Sequence, residues 1–189
     1  PPPLLPPPPA DGRPVDLDRC FVCLDPESYP SNPIMYCEQP ECSVCVHQHC
    51  YGIEALPAGE WKCDPCEAGL DPTTLACAFC PSKGGAYRMR ANSTEWAHIV
   101  CGVWIPEVAA KTHDPALRLS GKVNPARAKL RCGICKLKGG APVQCTFTAC
   151  RKSFHVTCGR EAGYRFELDE ADGDVALHMF CAKHQTPKP

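Results

Sequence analysis

Cysteine and histidine recur in this chain at metal-binding intervals, and that spacing decides what it can fold into. Of its 24 Cys and His residues, twenty fall into five consecutive four-ligand sets. The first run is Cys20-x2-Cys23, Cys37-x4-Cys42, His47-x2-Cys50 and Cys63-x2-Cys66. Then come Cys77-x2-Cys80 and His98-x2-Cys101, followed by Cys132-x2-Cys135, Cys145-x4-Cys150, His155-x2-Cys158 and Cys181-x2-His184. A Cys-x2-Cys turn sets two thiolates about one tetrahedral zinc edge apart, and a second pair closes the site. Protein fills all four positions, which leaves none open to water or a small-molecule substrate. The five implied zinc ions are structural, no catalytic residue is expected, and function is expected on the surfaces the metals hold in shape.

The 189 residues would suffice for one or two ordinary domains, but Leu, Ile, Val and Phe are too scattered for one large core. Segments of roughly 50 residues between ligand clusters are of a size that needs metal or disulfide staples. Disulfides are the competing use of 17 cysteines, yet the number is odd and histidine keeps register with cysteine. Zinc therefore fits better and implies a reducing compartment, cytosol or nucleus. No stretch approaches the ~20 apolar residues of a membrane span. The sequence lacks an initiator methionine, which reads as a fragment of a longer protein.

The spacing divides the chain into a proline-rich leader over 1–15, expected to be disordered, and a two-zinc module over 16–70. A one-zinc module follows over 75–106, a basic connector over 107–129, and a second two-zinc module over 130–185. Charge is split between the halves. Residues 1–71 hold 12 Asp and Glu against 3 Lys and Arg, whereas 77–189 hold 9 against 17. The first module suits a basic partner and the second half an acidic one.

Eight ligands in a row are usually cross-braced, with pairs one and three on one metal and pairs two and four on the other. Cys20, Cys23, His47 and Cys50 then share one zinc, and Cys37, Cys42, Cys63 and Cys66 a second. Cys77, Cys80, His98 and Cys101 form a single site. Asn92-Ser93-Thr94 is expected to cap a helix that carries His98 and Cys101 and stops before Pro106. In the last module Cys132, Cys135, His155 and Cys158 pair, as do Cys145, Cys150, Cys181 and His184. Cys45 and His49 are left over and read as non-ligands, although Cys45 offers a cramped alternative to Cys42. A LIM reading of the middle set fails, because Gly102-Val103-Trp104 stands where another cysteine pair is needed.

Ligand order separates the cross-brace families. A RING finger places histidine at the fourth ligand; here the fourth is Cys42 and the fifth His47, with Trp61 two residues before the last pair. That order, with the stretches VHQHCYGI, PAGEW, WAHIVCGVWIPEV and SFHVTC, resembles a PHD finger, a zinc knuckle and an extended PHD finger in tandem. This is the PZP cassette of bromodomain-PHD scaffold proteins, Jade proteins and leukaemia-fusion cofactors, and the likeness covers residues 20–184. The fold implied is a set of small zinc-stabilised α+β modules. Cys37-x4-Cys42 looks like the leukaemia-cofactor branch.

The resemblance implies a nuclear chromatin reader that binds the histone H3 tail and, weakly and non-specifically, DNA, as part of a histone acetyltransferase or methyltransferase complex. In PHD fingers the tail adds a strand to a small sheet by β-augmentation. The receiving segment would be Asn32, Ile34, Met35 and Tyr36, with carbonyls of Pro57, Ala58 and Gly59 seating a free amino terminus. Trp61 is expected in the core. The position that usually supplies a methyl-lysine cage tryptophan is Cys45 here, so an unmodified lysine is preferred, with Glu38 and Glu41 as acceptors or mere solvated acids. Lys122, Arg127, Lys129, Arg131, Lys136, Lys138, Arg151 and Lys152 are the expected phosphate contacts, and Lys136 to Gly140 resembles a loop tip. The acidic stretch from Glu167 to Asp174 is expected to loop away or give the histone a second contact. Ubiquitin ligation, nucleic-acid binding without histone recognition, and a plain protein scaffold are the competing readings.

Overall fold

The computed structural model describes residues 19–108, 119–171 and 174–185. The leader expected over 1–15 and the connector segment 109–118 lie outside the described residues.

Metal spacing leaves room only for short elements. In the first module β1 (Ile34–Tyr36) pairs antiparallel with β2 (Cys45–His47), matching Ile34 to His47, Met35 to Val46 and Tyr36 to Cys45. The chain turns straight from His47 into α1 (Gln48–Tyr51) and later forms α2 (Asp64–Glu67). Pro65 sits in the first turn of α2, where a missing N–H leaves no helical bond unmade.

The middle module repeats the plan with β3 (Tyr87–Met89), β4 (Trp96–His98) and α3 (Ile99–Trp104). Asn92-Ser93-Thr94 does not cap a helix, contrary to expectation. Asn92 is left-handed at φ 54°, Arg90 N–H reaches the Glu95 carbonyl, and the segment turns a hairpin. Strand pairing of Tyr87 with His98 and Met89 with Trp96 overrides the local capping signal, and the helix starts only at Ile99. Beyond it, Val108 and Leu119 are both fully buried, and Leu119 bridges to Arg90. The Asn124 side chain caps α4 (Pro125–Lys129) by accepting from Ala126 N–H at 2.9 Å.

The last module contains β5 (Val143–Gln144), β6 (Ser153–Phe154), α5 (Val156–Glu161) and a longer hairpin, β7 (Phe166–Ala171) with β8 (Asp174–Met179). Within the acidic stretch, Glu167 to Ala171 is therefore paired strand rather than loop. Phe166 opposes Met179 and Leu168 opposes Leu177, so one face alternates apolar while Glu167 opposes His178 on the other. A closing turn of 3-10 helix, Ala182–His184, carries the last ligand. No helix among the described residues is long and apolar enough to cross a membrane.

The modules are welded together. The buried Tyr51 hydroxyl donates to the Tyr87 carbonyl at 3.0 Å and accepts from Asp64 N–H at 2.7 Å. Arg88 lies over the Tyr51 ring at 4.9 Å and pairs with Asp64 at 3.1 Å. Between the second and third modules, Trp104 meets Phe166 edge-on at 5.1 Å and Ser82 donates to Thr157 at 3.0 Å. Gly140, at φ 58°, brings its backbone so close to Phe79 that a Cβ would stand 2.4 Å from the Phe79 carbonyl oxygen. The third module returns to the first through Arg160, which donates to the Val22 carbonyl at 3.1 Å.

Candidate metal centres and peptide-binding edge

Each two-zinc module interleaves its ligands as the sequence suggests. The five groups whose donor atoms lie within 4.8 Å of one another are the five sets assigned from spacing. A tetrahedral zinc with Zn–S of ~2.3 Å puts its sulfurs about 3.8 Å apart. Cys42 and Cys63 sulfurs are 4.0 Å apart, and those of Cys150 and Cys181 3.9 Å. The donor sets therefore fit five zinc ions. Four of the sites offer three thiolates and one imidazole, from His47, His98, His155 and His184, and the remaining site offers four thiolates. The crowding also shifts protons: hydrogen bonding to Cys63 lowers the Cys42 thiol to about 5 and raises Cys63 in return.

His-x2-Cys recurs because one local structure makes it work. His47, His98 and His155 each stand at the extended N-cap position just before a short helix, with ψ of 145°, 137° and 147°. Three residues on, Cys50, Cys101 and Cys158 come round to the same side. None of the three side chains caps its helix, because both ring nitrogens are committed. Nδ1 faces the sulfurs, and Nε2 meets the carbonyls of Glu27, Gly84 and Gly139 at 2.6, 2.8 and 3.1 Å. A carbonyl on Nε2 fixes the tautomer that leaves Nδ1 for metal. His184 is held differently, stacked on Phe147 at 4.0 Å.

A second regularity runs through all five sites. The first cysteine of each accepts a main-chain N–H from the opening residue of the closing pair. His47 N–H reaches Cys20 at 3.2 Å, Cys63 reaches Cys37 at 3.3 Å, and His98 reaches Cys77 at 3.4 Å. His155 reaches Cys132 at 3.5 Å and Cys181 reaches Cys145 at 3.4 Å. Cys45 and His49 stand outside the clusters: Cys45 is buried with its thiol donating to the Arg19 carbonyl, and His49 is exposed.

Among the described residues β1 has a sheet partner, β2, on one side only. Ile34 and Tyr36 turn their main-chain groups away from β2, and Ile34 N–H donates to Ser28 Oγ at 3.1 Å. Met35 faces β2, and the Asn32 side chain is occupied by His49 N–H at 2.9 Å. Glu38 sits against Trp61, its carboxylate accepting from Trp61 N–H at 3.3 Å. Trp61 itself is partly buried, packing edge-on against Tyr51 at 5.2 Å at the margin of the core. Pro57, Ala58 and Gly59 form an exposed loop.

The expected DNA contacts divide in two. Lys122, Lys129, Arg131, Lys136, Lys138, Arg151 and Lys152 are exposed. Arg127 is spent inside the fold: Nε stands 2.8 Å from both Glu107 oxygens, and Nη1 donates to the Pro142 carbonyl at 3.1 Å. The segment from Lys136 to Gly140 is not a free loop tip. Lys136 Nζ donates to the Gly133 carbonyl, Lys138 bridges to Arg131, and Gly139 N–H reaches the Ala128 carbonyl.

Spacing gave no sign of a cleft of about 810 Å³ lined by all three modules. Phe21, Leu70 and Val100 form apolar walls, and Glu41, Asp71 and Glu161 line it with carboxylates. Arg160 also faces it, with burial lowering its proton affinity, and burial raises the Glu161 carboxyl.

Residues 75–184 match the family described as PHD-zinc-finger like domain, and residues 31–67 match the PHD-finger family. Protein Jade-3 of Danio rerio is 40% identical over 186 residues, covering 94% of this chain and 22% of its own. PHD finger protein rhinoceros of Drosophila melanogaster is 35% identical over 94% of this chain and 6% of its own length. The human protein named E3 ubiquitin-protein ligase Jade-2 is 37% identical over 95% of this chain and 23% of its own. This chain thus spans a quarter or less of these three relatives. The zebrafish PHF14-PZP crystal structure superposes with a TM-score of 0.70 at 28% identity, over 89% of this chain and 88% of that one. Likeness to Jade proteins means that the x4 spacing of Cys37 and Cys42 does not by itself fix the branch. The chain belongs to the PHD-zinc-finger-like family, with a PHD finger ahead of that domain in the order of a PZP cassette.

Proposed function

We propose that this chain is a nuclear chromatin reader that binds the histone H3 tail on the first PHD finger and recruits a histone acetyltransferase or methyltransferase complex. The observation that carries the reading is β1, a strand that among the described residues has a sheet partner on one side only, set in a module whose charge is strongly acidic. An extended basic peptide laid along it gains main-chain hydrogen bonds for affinity and side-chain positions for selectivity. Cys45, buried where a cage tryptophan would stand, offers no π-face to trimethyl-lysine, which favours the unmodified ammonium. The exposed lysines and arginines of the second half contact DNA phosphates without reading sequence. Calorimetric titration of the zinc-loaded chain with an unmodified H3 tail peptide should give micromolar binding that weakens on trimethylation of its first lysine. No heat with either peptide would sink the histone reading and leave DNA binding alone.

The name of the human relative supports ubiquitin transfer as a second reading. Against it stands the ligand order, with cysteine at the fourth position and histidine at the fifth. Discharge of ubiquitin from a charged conjugating enzyme by this chain would establish it.

A further inference from the structure

Four of the five metal sites take one histidine, and three of those histidines are held in the same way. At His47, His98 and His155 a main-chain carbonyl meets Nε2 while Nδ1 faces the sulfurs. His184 breaks the pattern. Its Nδ1 stands 3.4 Å from the sulfurs of Cys145 and Cys181, but among the described residues its Nε2 has no hydrogen-bond partner. What holds the imidazole instead is the Phe147 ring, with centroids 4.0 Å apart and planes 7° from parallel.

Phe147 sits in the four-residue loop between Cys145 and Cys150, which Cys150 N–H closes on the Phe147 carbonyl at 2.9 Å. Thr146 N–H anchors the same loop to the Met179 carbonyl at 2.8 Å, so the ring has a fixed base although it is 38% exposed. On the other side, the Gln185 side chain donates to the Phe180 carbonyl and accepts from Arg165 N–H, which places the main chain just after His184. The first finger supplies an internal comparison. Its Cys37–Cys42 loop has the same length, with Gln39 where the later loop has Phe147. That site closes with the Cys66 thiolate, which has no ring to orient. Of the two loops, the one with the aromatic residue is the one whose closing ligand is an imidazole.

A stack and a hydrogen bond are not equivalent supports. The stack fixes the plane of the ring. It neither sets the tautomer nor makes Nδ1 more basic, as a carbonyl on Nε2 does, and loss of such a partner weakens metal binding about 10–100-fold. We propose that Phe147 is the positioning residue for the last zinc ligand, and that this site gives up its zinc before the three whose histidines are carbonyl-bound. The consequence falls on the hairpin of β7 and β8. β8 ends two residues before Cys181, and the Met179 amide and carbonyl meet Thr146 at 3.1 and 2.8 Å, so the base of the hairpin rests on the ligand loop. The first finger has its own ligands and keeps β1 in place when that base loosens.

The test challenges the zinc-loaded chain with rising amounts of a competing chelator. Native mass spectrometry counts the zinc ions, and amide chemical shifts show which site has emptied. Among the histidine sites, the first loss should shift the amides of Thr146, Ala149, Phe180 and Ala182, while those beside Cys20, Cys77 and Cys132 hold. Phe147→Ala should lose that zinc at chelator concentrations at least about tenfold lower. Phe147→Tyr, which keeps the ring, should restore the original course. Leu137→Ala, which trims another exposed side chain of the same module, should leave it unchanged. A Phe147→Ala chain that holds only four zinc ions in saturating zinc, with the other amides in place, would support the proposal in its strongest form. Earlier loss from the site of His47, His98 or His155, or release of all five ions together, would overturn it. So would an unaltered course in Phe147→Ala, a tyrosine variant as weak as the alanine one, or the same weakening in Leu137→Ala.

Discussion

Replacing Tyr51 with phenylalanine removes one oxygen at the seam between the first finger and the knuckle. That oxygen donates to the Tyr87 carbonyl and accepts from Asp64 N–H, at a residue only 1% exposed. Burial pushes the Tyr51 hydroxyl well above its ordinary range, so the donated proton persists at any pH the zinc sites survive. The ring, its edge contact with Trp61 and the Arg88 guanidinium above it all remain. The loss is therefore two hydrogen bonds and two stranded main-chain groups. Each stranded group costs ~1–2 kcal/mol, or about 2–4 kcal/mol together. A chain of this size shifts by about 2–4 °C per kcal/mol, which puts the fall in Tm at about 4–16 °C in saturating zinc. Hydrogen exchange supplies the local readout: the Asp64 amide, whose acceptor is gone, should exchange much faster while the Ile99 amide, bonded to the Ala86 carbonyl, changes little. An unchanged Tm with an unchanged Asp64 amide would refute the claim that this hydroxyl couples the modules.

Substitutions at Gly102 and Arg127 test other seams, with Leu119, Lys129 and Lys138 as their controls. A Cβ at Gly102 would stand 2.2 Å from Leu119 Cδ2, and Leu119 is fully buried, so Gly102→Ala should cost about 1–3 kcal/mol by overpacking. Leu119→Ala in the same chain should offset part of that cost, and strict additivity in thermal melts would exclude the clash as the cause. Arg127→Ala strands Glu107 and the Pro142 carbonyl and should lower Tm, whereas Lys129→Ala and Lys138→Ala should leave Tm alone. In DNA titrations at several salt concentrations the two lysine variants should each reduce the salt slope by about 1. Arg127→Ala weakening DNA with no loss of stability would show that its pairing to Glu107 is incidental.

What the sequence made legible is what the chain decides locally. Strand, N-cap histidine and helical cysteine fit inside a few residues, and a ligand set tolerates only the spacings that close a tetrahedron, so all five sets can be assigned from intervals alone. The same locality explains where the reading failed. Asn92-Ser93-Thr94 carries a genuine capping signal, but pairing of Tyr87 with His98 across the hairpin places a ligand and so outweighs it. The acidic run looked like a loop because its charge hid the alternation of Phe166 and Leu168, whose partners Met179 and Leu177 lie about ten residues further along the chain. The surfaces that would bind anything are made by contacts far apart in the chain. Tyr51 meets Tyr87 across 36 positions, Ser82 meets Thr157 across 75, and Arg160 meets Val22 across 138. No interval marks such pairs, and the cleft they enclose had no signature in the sequence. Zinc spacing therefore predicts the modules, while the docking of modules decides which carboxylates, among many exposed acids, converge on one space.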